Sequence, residues 1–341
     1  MLLLRWLLSP ISFVYYLVSS FRNVCFNKQW IKSHKILVPS ISIGNLSLGG
    51  TGKSPLTNYL IHLLKSEYSI YVLSRGYGRR TKGFIKVESN SIGAEVGDEP
   101  LAYKLEHGSE ITVAVDEDRV HGISQFIPFP KKGFVLLDDA FQHRRIRAGF
   151  SILLSTYDNP FYKDFIFPLG MLRERRAGVK RADLILITKC PPLLNEEDMK
   201  KFKVPLEKYH LPVFFSWIKY LPLQSLGKSI DSAKKALVVT GIAQGIDLKK
   251  HISSTYETIH LSFSDHHLFT RKDIELIHKK FDTFAAEDGV IVTTSKDYMR
   301  LKSLLTKEEL LQYPWSIQNI ELHIENEIEF IKIIKEYAKA I

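Results

Sequence analysis

Short apolar runs alternate with helical patterns through the first half of the chain. Most of these runs are continuous, which is typical of strands buried on both faces of a parallel sheet. Segments with helical spacing lie between several of them, notably at residues 97–106 and 116–125. Strands are predicted at residues 36–43, 69–73, 111–115, 134–137, 150–154 and 184–188. This alternation predicts a doubly wound, mostly parallel α/β sheet.

A proline-rich stretch at residues 191–222 indicates a change of module. Strands at 236–240, 258–263 and 290–294 and a helix at 271–281 then predict a second, smaller α/β module. We place the core domain at 22–225 and the smaller module at 226–341. The last helix, 327–341, has one apolar face that is typical of core packing, and it can pack back on the core domain.

Residues 1–21 are strongly apolar and are interrupted by Arg5 and Pro10. A signal peptide is disfavoured because no small-residue cleavage site follows. We expect a membrane-associated helix that lies in the interface, with Trp6, Tyr15 and Tyr16 as anchors. A spanning helix and a helix packed on the core are the alternatives.

Composition and charge narrow the function classes. The 341 residues carry a net charge of +10 and include only two cysteines, Cys25 and Cys190. This composition is that of a globular protein and excludes a disulfide framework or a cysteine-rich zinc site. The positive charge favours an anionic partner such as a membrane surface, a phosphorylated substrate or nucleic acid.

The first predicted strand leads into a glycine-rich turn and then a helix, which is the context of a phosphate-binding loop. Backbone N–H groups and the helix N-terminus would hold a phosphate, Lys53 would reach the β- and γ-phosphates, and Ser54 would hold Mg²⁺. The pattern G-x-x-x-x-G-K-[ST] matches except at its first position, where serine replaces glycine. The predicted nucleotide-binding residues are Ser47, Leu48, Gly49, Gly50, Thr51, Gly52, Lys53 and Ser54.

Carboxylates follow at two further points. Asp138 and Asp139 end an apolar strand, where an acid of a phosphate-loop enzyme orients Mg²⁺. Asp98 precedes a helix with Pro100 in its first turn. Local sequence leaves two roles open for Asp98, a helix N-cap or a general base that accepts a proton from an attacking hydroxyl.

Three other motifs have less specific patterns. Asp265, His266 and His267 follow a strand and are compatible with a metal site, with a histidine that tunes a carboxylate, or with a plain loop. Residues 74–80 begin like a dinucleotide fingerprint, but Thr81 replaces its third glycine. Residues 170–181 form a basic segment that can be a solvated face or can stabilise a phosphoryl group.

Taken together, these motifs resemble the tetraacyldisaccharide 4′-kinase family of lipid A biosynthesis. The resemblance runs from near residue 40 to near residue 300, in the family's order. Ala140 and Ser295 depart from it, because the family usually has glycine and glutamate there. The matching segments are 44–46, 49–55, 75–78, 97–100, 138–139, 141–143, 172–174, 265–267, 293–294 and 296–297.

The resemblance implies a P-loop kinase that uses ATP and Mg²⁺. It would phosphorylate the 4′-hydroxyl of a tetraacyldisaccharide 1-phosphate at the cytoplasmic face of the inner membrane, with no nucleic acid partner. It implies Asp98 as general base, assisted by His266 or His267, with Arg173 stabilising phosphoryl charge and Asp138 and Asp139 serving Mg²⁺. The substrate-binding residues that it implies are Asn45, Arg75, Tyr77, Glu99, Gln142 and His143.

Two other functions remain as alternatives. The first is another phosphate-loop NTPase or kinase that acts on an anionic substrate. A GTPase in particular is disfavoured, because residues 188–191 lack the Asn and Asp that guanine recognition needs. The second is a non-enzymatic, basic membrane-binding protein, which leaves the phosphate loop and the paired aspartates unexplained.

Overall fold

The computed structural model describes residues 8–242, 245–265, 267–285 and 287–340. The chain forms two compact units, one of Met1–Ile218 with Leu322–Ile341 and one of Lys219–Glu321. This division differs from the boundary drawn at residue 225, because the second unit is an insertion and the end of the chain returns to the first. The proline-rich stretch therefore lies largely within the first unit.

Among the described residues, the three longest α-helices are one near each end of the chain and one in the second unit. In chain order they are α1 (Ser9–Asn27), α2 (Lys53–Leu64), α3 (Gly93–Val96), α4 (Asp98–His107), α5 (Arg119–Ser124), α6 (Glu196–Lys203), α7 (Gly245–Ile252), α8 (Arg271–Ala285), α9 (Ser295–Leu301), α10 (Lys307–Gln312) and α11 (Glu327–Lys339). Three 3₁₀-helices lie at Gly108–Glu110, Arg176–Arg181 and Val204–Tyr209.

The strands follow the predicted runs closely and add several that the pattern did not predict. In chain order they are β1 (His34–Lys35), β2 (Ser40–Asn45), β3 (Ser69–Ser74), β4 (Ile85–Lys86), β5 (Ile111–Val115), β6 (Gly133–Asp138), β7 (Ile146–Arg147), β8 (Phe150–Thr156), β9 (Leu184–Thr188), β10 (Val213–Tyr220), β11 (Gln224–Ser225), β12 (Lys235–Thr240), β13 (Glu257–Ser262), β14 (Gly289–Thr294), β15 (Trp315–Gln318) and β16 (Ile320–Ile324).

The first unit is built on a nine-stranded sheet with the order β16-β10-β9-β8-β2-β6-β3-β5-β4. Strands β10 to β5 of this order pair in parallel, and β4 pairs antiparallel with β5. Every residue of β2 and β6 is buried, as expected for central strands covered on both faces. A mixed α/β fold with a mainly parallel sheet is therefore confirmed.

The last helix completes the main hydrophobic core of the first unit. Phe330 and Ile334 of α11 are fully buried in the cluster that includes Phe134 of β6 and Phe214 of β10. The Tyr337 hydroxyl donates to the carbonyl of Ser40 at 2.9 Å. The apolar face of this helix is thus core, as the pattern predicted.

The second unit has its own sheet, in the order β11-β15-β14-β12-β13, which is parallel apart from β11. Its larger core cluster surrounds Trp315, which is fully buried, and includes Phe281 of α8. The sheet and helices confirm a smaller α/β unit.

Helix α1 begins at Ser9, and its C-terminal half is hydrogen-bonded to other segments of the first unit. Asn23 donates to Glu174 at 2.6 Å, and Arg22 donates to the carbonyl of Gln142 at 2.9 Å. Within the part of the chain that the structure describes, no helix is long and apolar enough to cross a membrane.

Candidate active site

The glycine-rich loop turns directly into α2. Gly52 is the N-cap of this helix and has a φ of 83°, in the left-handed region that favours glycine. Inside the loop, Asn45 Nδ2 donates to Thr51 Oγ1 at 2.9 Å, so the end of β2 holds the turn. The first N–H groups of α2 have no partners within the helix, which makes this end suited to an anion.

A second strand end supports the same loop. The Thr188 hydroxyl at the end of β9 donates to the carbonyl of Thr51 at 2.9 Å, and the Lys189 ammonium donates to the carbonyl of Gly50. Sequence reasoning considered this segment only as a failed guanine motif and missed its contact with the loop. A Thr-Lys pair at the end of a buried strand was the available signal.

Three carboxylates surround the start of α2. Lys53 Nζ lies 3.6 Å from Asp139 Oδ1, and the Ser54 hydroxyl donates to Glu99 Oε1 at 2.7 Å. Asp138, adjacent in sequence to Asp139, is buried at the end of β6. The structure thus brings Lys53, Ser54 and the paired aspartates together, and Glu99, for which substrate binding was expected, contacts the serine. The roles of these residues stay predictions.

Asp138 has an unusual electrostatic environment. Burial, followed by the charges of Glu99 and Asp139, raises the pKa of its carboxyl to about 7, although Lys53 and Arg119 oppose the shift. Tyr103 donates to Asp138 Oδ2 at 3.5 Å, and its own pKa is raised, chiefly by burial. Perturbed carboxyl groups of this kind cluster at functional sites.

Arg119 is a charged residue of this region that sequence reasoning missed. It is 2% exposed and contacts the carbonyls of Asp116 at 2.9 Å and Asp138 at 3.5 Å. Burial lowers the pKa of its guanidinium to about 10, so it stays charged at neutral pH. Sequence analysis placed it in the helical segment 116–125 and gave it no role at the site.

Two of these carboxylates have oxygen atoms that fit a bound cation. Asp138 Oδ1 and Asp139 Oδ1 are buried and accept no hydrogen bond from the residues that the structure describes, although Lys53 Nζ lies 3.6 Å from Asp139 Oδ1. Buried acceptors normally have a partner. Together with Glu99 and the Ser54 hydroxyl they form an oxygen donor set, which is the kind that Mg²⁺ takes.

Asp98 opens α4 but is not its cap. The N-cap is Gly97, and no side chain caps this helix, so the N-cap alternative is wrong. Gly97 has a φ of 87°, and a Cβ there would lie 2.9 Å from Gly76 Cα. This close approach brings the loop that carries Arg75 and Tyr77 against the start of α4, although both side chains are exposed.

Arg173 and Gln142 join the site through Asp139. Arg173 Nη1 lies 3.7 Å from Asp139 Oδ2 and 3.5 Å from Gln142 Oε1, and the Gln142 amide donates to the carbonyl of Asn45. His143 is half-buried, and burial together with Arg119 lowers its pKa to about 4. Asn45, Gln142 and Arg173 thus lie together beside the loop.

The start of the phosphate loop is held by the basic segment. Leu48 N donates to the carbonyl of Met171 at 2.7 Å, and Arg173 N donates to the carbonyl of Leu46 at 2.7 Å. An isolated bridge also pairs Ser47 with Leu172. Part of the 170–181 segment is therefore structural at the site and is not a solvated face.

The histidine motif belongs to the second unit. His267 Nε2 lies 3.2 Å from Asp273 Oδ2, and its ring stacks on Phe263 with centroids 4.7 Å apart. His266 lies outside the described residues. The assistance of Asp98 by either histidine stays a prediction.

A phosphate loop after a central parallel strand, with acids at the end of the neighbouring strand, defines a P-loop nucleotide-binding enzyme. The sequence model of the family described as tetraacyldisaccharide-1-P 4′-kinase matches residues 4–339. The chain belongs to this family.

Relatives with this name are similar over nearly the whole chain. The tetraacyldisaccharide 4′-kinase of Flavobacterium psychrophilum is 39% identical over 346 residues, which cover 99% of this chain and 98% of that protein. The protein of the same name from Bacteroides thetaiotaomicron is 38% identical over 340 residues, with 94% and 89% covered. A solved structure, the "apo" form of LpxK from Aquifex aeolicus in complex with ATP, matches with a TM-score of 0.74 at 26% identity and covers 98% of this chain and 99% of that one.

Proposed function

We infer that this chain transfers the γ-phosphate of ATP to the 4′-hydroxyl of a tetraacyldisaccharide 1-phosphate. The observation that carries the inference is the start of α2, where Lys53 lies 3.6 Å from Asp139 and Ser54 donates to Glu99 at 2.7 Å. Lys53, which would contact the phosphates, and the acids that would bind their metal ion therefore lie together at the phosphate loop. Membership of the kinase family supplies the lipid A precursor as substrate.

The loop would bind the triphosphate by backbone N–H groups and by two cations. Lys53 and Arg173 both approach Asp139, at 3.6 and 3.7 Å, so each is held close to the phosphate loop before nucleotide binds. Their charge would offset the negative charge of the phosphoryl group during transfer. Preorganised cations of this kind need little rearrangement when the reaction occurs.

Mg²⁺ would be held by Ser54, Glu99, Asp138 and Asp139. The fit rests on the two buried aspartate oxygens that accept no hydrogen bond from described residues. When bound, the ion would neutralise charge on the β- and γ-phosphates. Glu99 is thereby reassigned from substrate binding to the metal site, on its contact with Ser54.

Asp98 would accept the proton of the attacking 4′-hydroxyl. Its support is its position beside Glu99 at the first turn of α4, in a helix that Gly97 begins. Because Asp98 does not cap the helix, a purely structural role as an N-cap is not available to explain it. His267 would assist as the resemblance implies, and Arg75, Tyr77, Asn45, Gln142 and His143 would contact the lipid headgroup.

The test is incubation with labelled ATP and the disaccharide 1-phosphate, followed by mapping of the phosphorylated position. Asp98→Asn should lower the turnover rate by about 10²–10⁴-fold, the usual contribution of a general base, with little change in ATP affinity. Asp158→Asn, at an exposed aspartate of the same unit, is the control. No product at the 4′ position, or a rate for Asp98→Asn near wild type, contradicts the assignment.

Helix α1 would lie on the membrane that holds the substrate. Its exposed apolar residues include Phe13, Val14, Val18 and Phe21, which are between 59% and 65% exposed. Exposed apolar surface of this extent indicates an interaction site, and basic residues flank it. The Asn23–Glu174 hydrogen bond would connect the helix to the segment that carries Arg173.

Sedimentation with anionic vesicles tests this proposal on the full chain. Replacing Val18 and Phe21 together by aspartate should weaken vesicle binding by more than about 100-fold, since each apolar side chain contributes about 1.5–3 kcal/mol when buried. Leu193→Asp, at a residue that is 94% exposed in a loop of the same unit, should leave binding unchanged. Equal binding by both variants would rule out α1 as the anchor.

A further inference from the structure

Two histidines and a glutamate converge at the C-terminal ends of α2 and α4. His62, Glu106 and His107 each offer one ligand atom, and these atoms lie within 4.8 Å of one another. His62 is nine residues beyond Lys53 on α2, about 14 Å along the helix axis. The cluster is therefore distinct from the phosphate loop and takes no part in the proposed phosphoryl transfer.

The two distances from the glutamate oxygen to the histidine nitrogens are close to those of a tetrahedral metal site. His62 Nε2 lies 3.3 Å from Glu106 Oε1, and His107 Nε2 lies 3.9 Å from the same oxygen. Metal–ligand bonds of 2.0–2.1 Å in tetrahedral geometry place ligand atoms about 3.4 Å apart. Side-chain movements of less than an ångström would bring the cluster to that geometry.

The glutamate is oriented by a further side chain. Asn58 Nδ2 donates to Glu106 Oε2 at 2.6 Å, so the other oxygen, Oε1, faces the imidazoles. Contacts of this kind orient the carboxylate ligands of metal sites. The nearby Lys65 ammonium is paired with Glu110 at 2.7 Å, which offsets its repulsion of a cation.

The buried histidine would bind an ion through Nε2 after a change of tautomer. His107 is 3% exposed, and its ring lies against that of His62 with the centroids 4.7 Å apart. Its Nε2 lies 2.8 Å from Asn58 Oδ1 and its Nδ1 is buried with no hydrogen-bond partner among the described residues. Because the Asn58 oxygen can only accept, Nε2 donates this hydrogen bond in the structure. An ion on Nε2 would displace the hydrogen bond and move the ring proton to Nδ1.

We propose that His62, Glu106 and His107 bind one divalent transition-metal ion, for which Zn²⁺ is the best match, with water as the fourth ligand. Two imidazoles and one carboxylate form a donor set that zinc takes in proteins, whereas Mg²⁺ prefers oxygen ligands. The C-terminal ends of both helices also carry partial negative charge that favours a cation. The ion would join α2 to α4, whose first turns carry the phosphate-binding and acidic residues.

A titration with Co²⁺ tests the site on the full chain after chelator treatment, with excess Mg²⁺ present to fill oxygen-ligand sites. Tetrahedral Co²⁺ with nitrogen ligands has strong visible bands, whereas octahedral Co²⁺ on oxygen ligands does not. We expect one equivalent of the tetrahedral species, displaced by Zn²⁺. Absence of this species from the wild-type protein would overturn the proposal.

Variants assign the ligands. His62→Ala removes an exposed side chain and should weaken Zn²⁺ binding by more than about 100-fold, since loss of an outer-shell partner alone costs 10–100-fold. Glu106→Gln, also at an exposed residue, should behave alike, and His34→Ala, at an exposed histidine outside the cluster, should bind as the wild type does. Zn²⁺ should raise the melting temperature of the wild type and of His34→Ala but not of His62→Ala. Equal affinity of wild type and His62→Ala refutes the site.

Discussion

Replacing Asp138 by asparagine should stabilise the apo-protein while it removes activity. The side chain is 1% exposed, and its Oδ1 accepts no hydrogen bond from described residues. A carboxylate in such a position is costly to ionise, because burial disfavours its charged form and Glu99 and Asp139 repel it. Asparagine keeps the shape of the side chain and removes the charge.

The size and the pH dependence of this stabilisation follow from the pKa of Asp138, which rises from 3.8 to about 7 on folding. At 1.36 kcal/mol per pKa unit, this shift of about three units sets a ceiling of about 4 kcal/mol on the destabilisation by the charge. Because asparagine also buries a polar group, we expect a gain of about 1–3 kcal/mol in the free energy of unfolding at pH 8. The native state holds the proton of Asp138 more tightly than the unfolded state does. The destabilisation by the Asp138 carboxylate is therefore smallest below pH 4 and increases as the pH rises toward 7.

Thermal unfolding without Mg²⁺ or nucleotide, at pH 8 and at pH 5, measures the effect. The variant should melt several degrees above wild type at pH 8, and the gain should shrink at pH 5, where wild-type Asp138 is protonated. Asp158→Asn, at an exposed aspartate, is the control and should show no such difference. A variant that is less stable than wild type at pH 8, or a gain independent of pH, would refute the reasoning.

Three further substitutions probe the site and the core. Lys53→Met should weaken ATP binding in a thermal-shift titration and reduce turnover by at least about 10²-fold, because it removes the cation 3.6 Å from Asp139; Arg147→Met, at an exposed arginine, is the control. Glu99→Gln should raise the Mg²⁺ concentration needed for half-maximal rate, since Ser54 would lose its carboxylate partner, and an unchanged Mg²⁺ dependence would contradict the metal role. Phe330→Ala should cost about 3–5 kcal/mol in urea unfolding because this side chain is fully buried, and a loss below 1 kcal/mol would show that α11 adds little to the first unit.

The elements that sequence predicted well are those with purely local signals. The phosphate loop needs only a strand, glycines and a helix in succession. Helix α2 follows the glycines as predicted, and β2 overlaps the second half of the strand predicted at 36–43 and runs two residues further. Strand β10 was missed because prolines indicated a break. Pro212 and Pro222 in fact flank Val213–Tyr220 without interrupting it, and proline is compatible with positions just outside a strand.

Other features depend on packing between distant segments and had no local signal. Arg119 lies in the 116–125 segment that the sequence predicts as helical, but no local pattern shows that it is buried. It is 2% exposed and contacts the carbonyl of Asp138 at the end of β6. The return of α11 to the first unit likewise depends on which sheet covers its apolar face. The amphipathic pattern shows that such a face exists but does not identify its partner.

Two backbone outliers connect the strand ends to the phosphate loop. Asp139 directly follows β6 with a φ of 46°, and Lys189 directly follows β9 with a φ of 59°. This region costs a residue with a Cβ about 1–2 kcal/mol, so conformation alone would favour glycine at both positions. In each case the turn brings a charged side chain back to the loop, since Asp139 meets Lys53 at 3.6 Å and Lys189 donates to the carbonyl of Gly50. The strain is therefore explained by the charges, because glycine would relieve it and leave the loop without either contact.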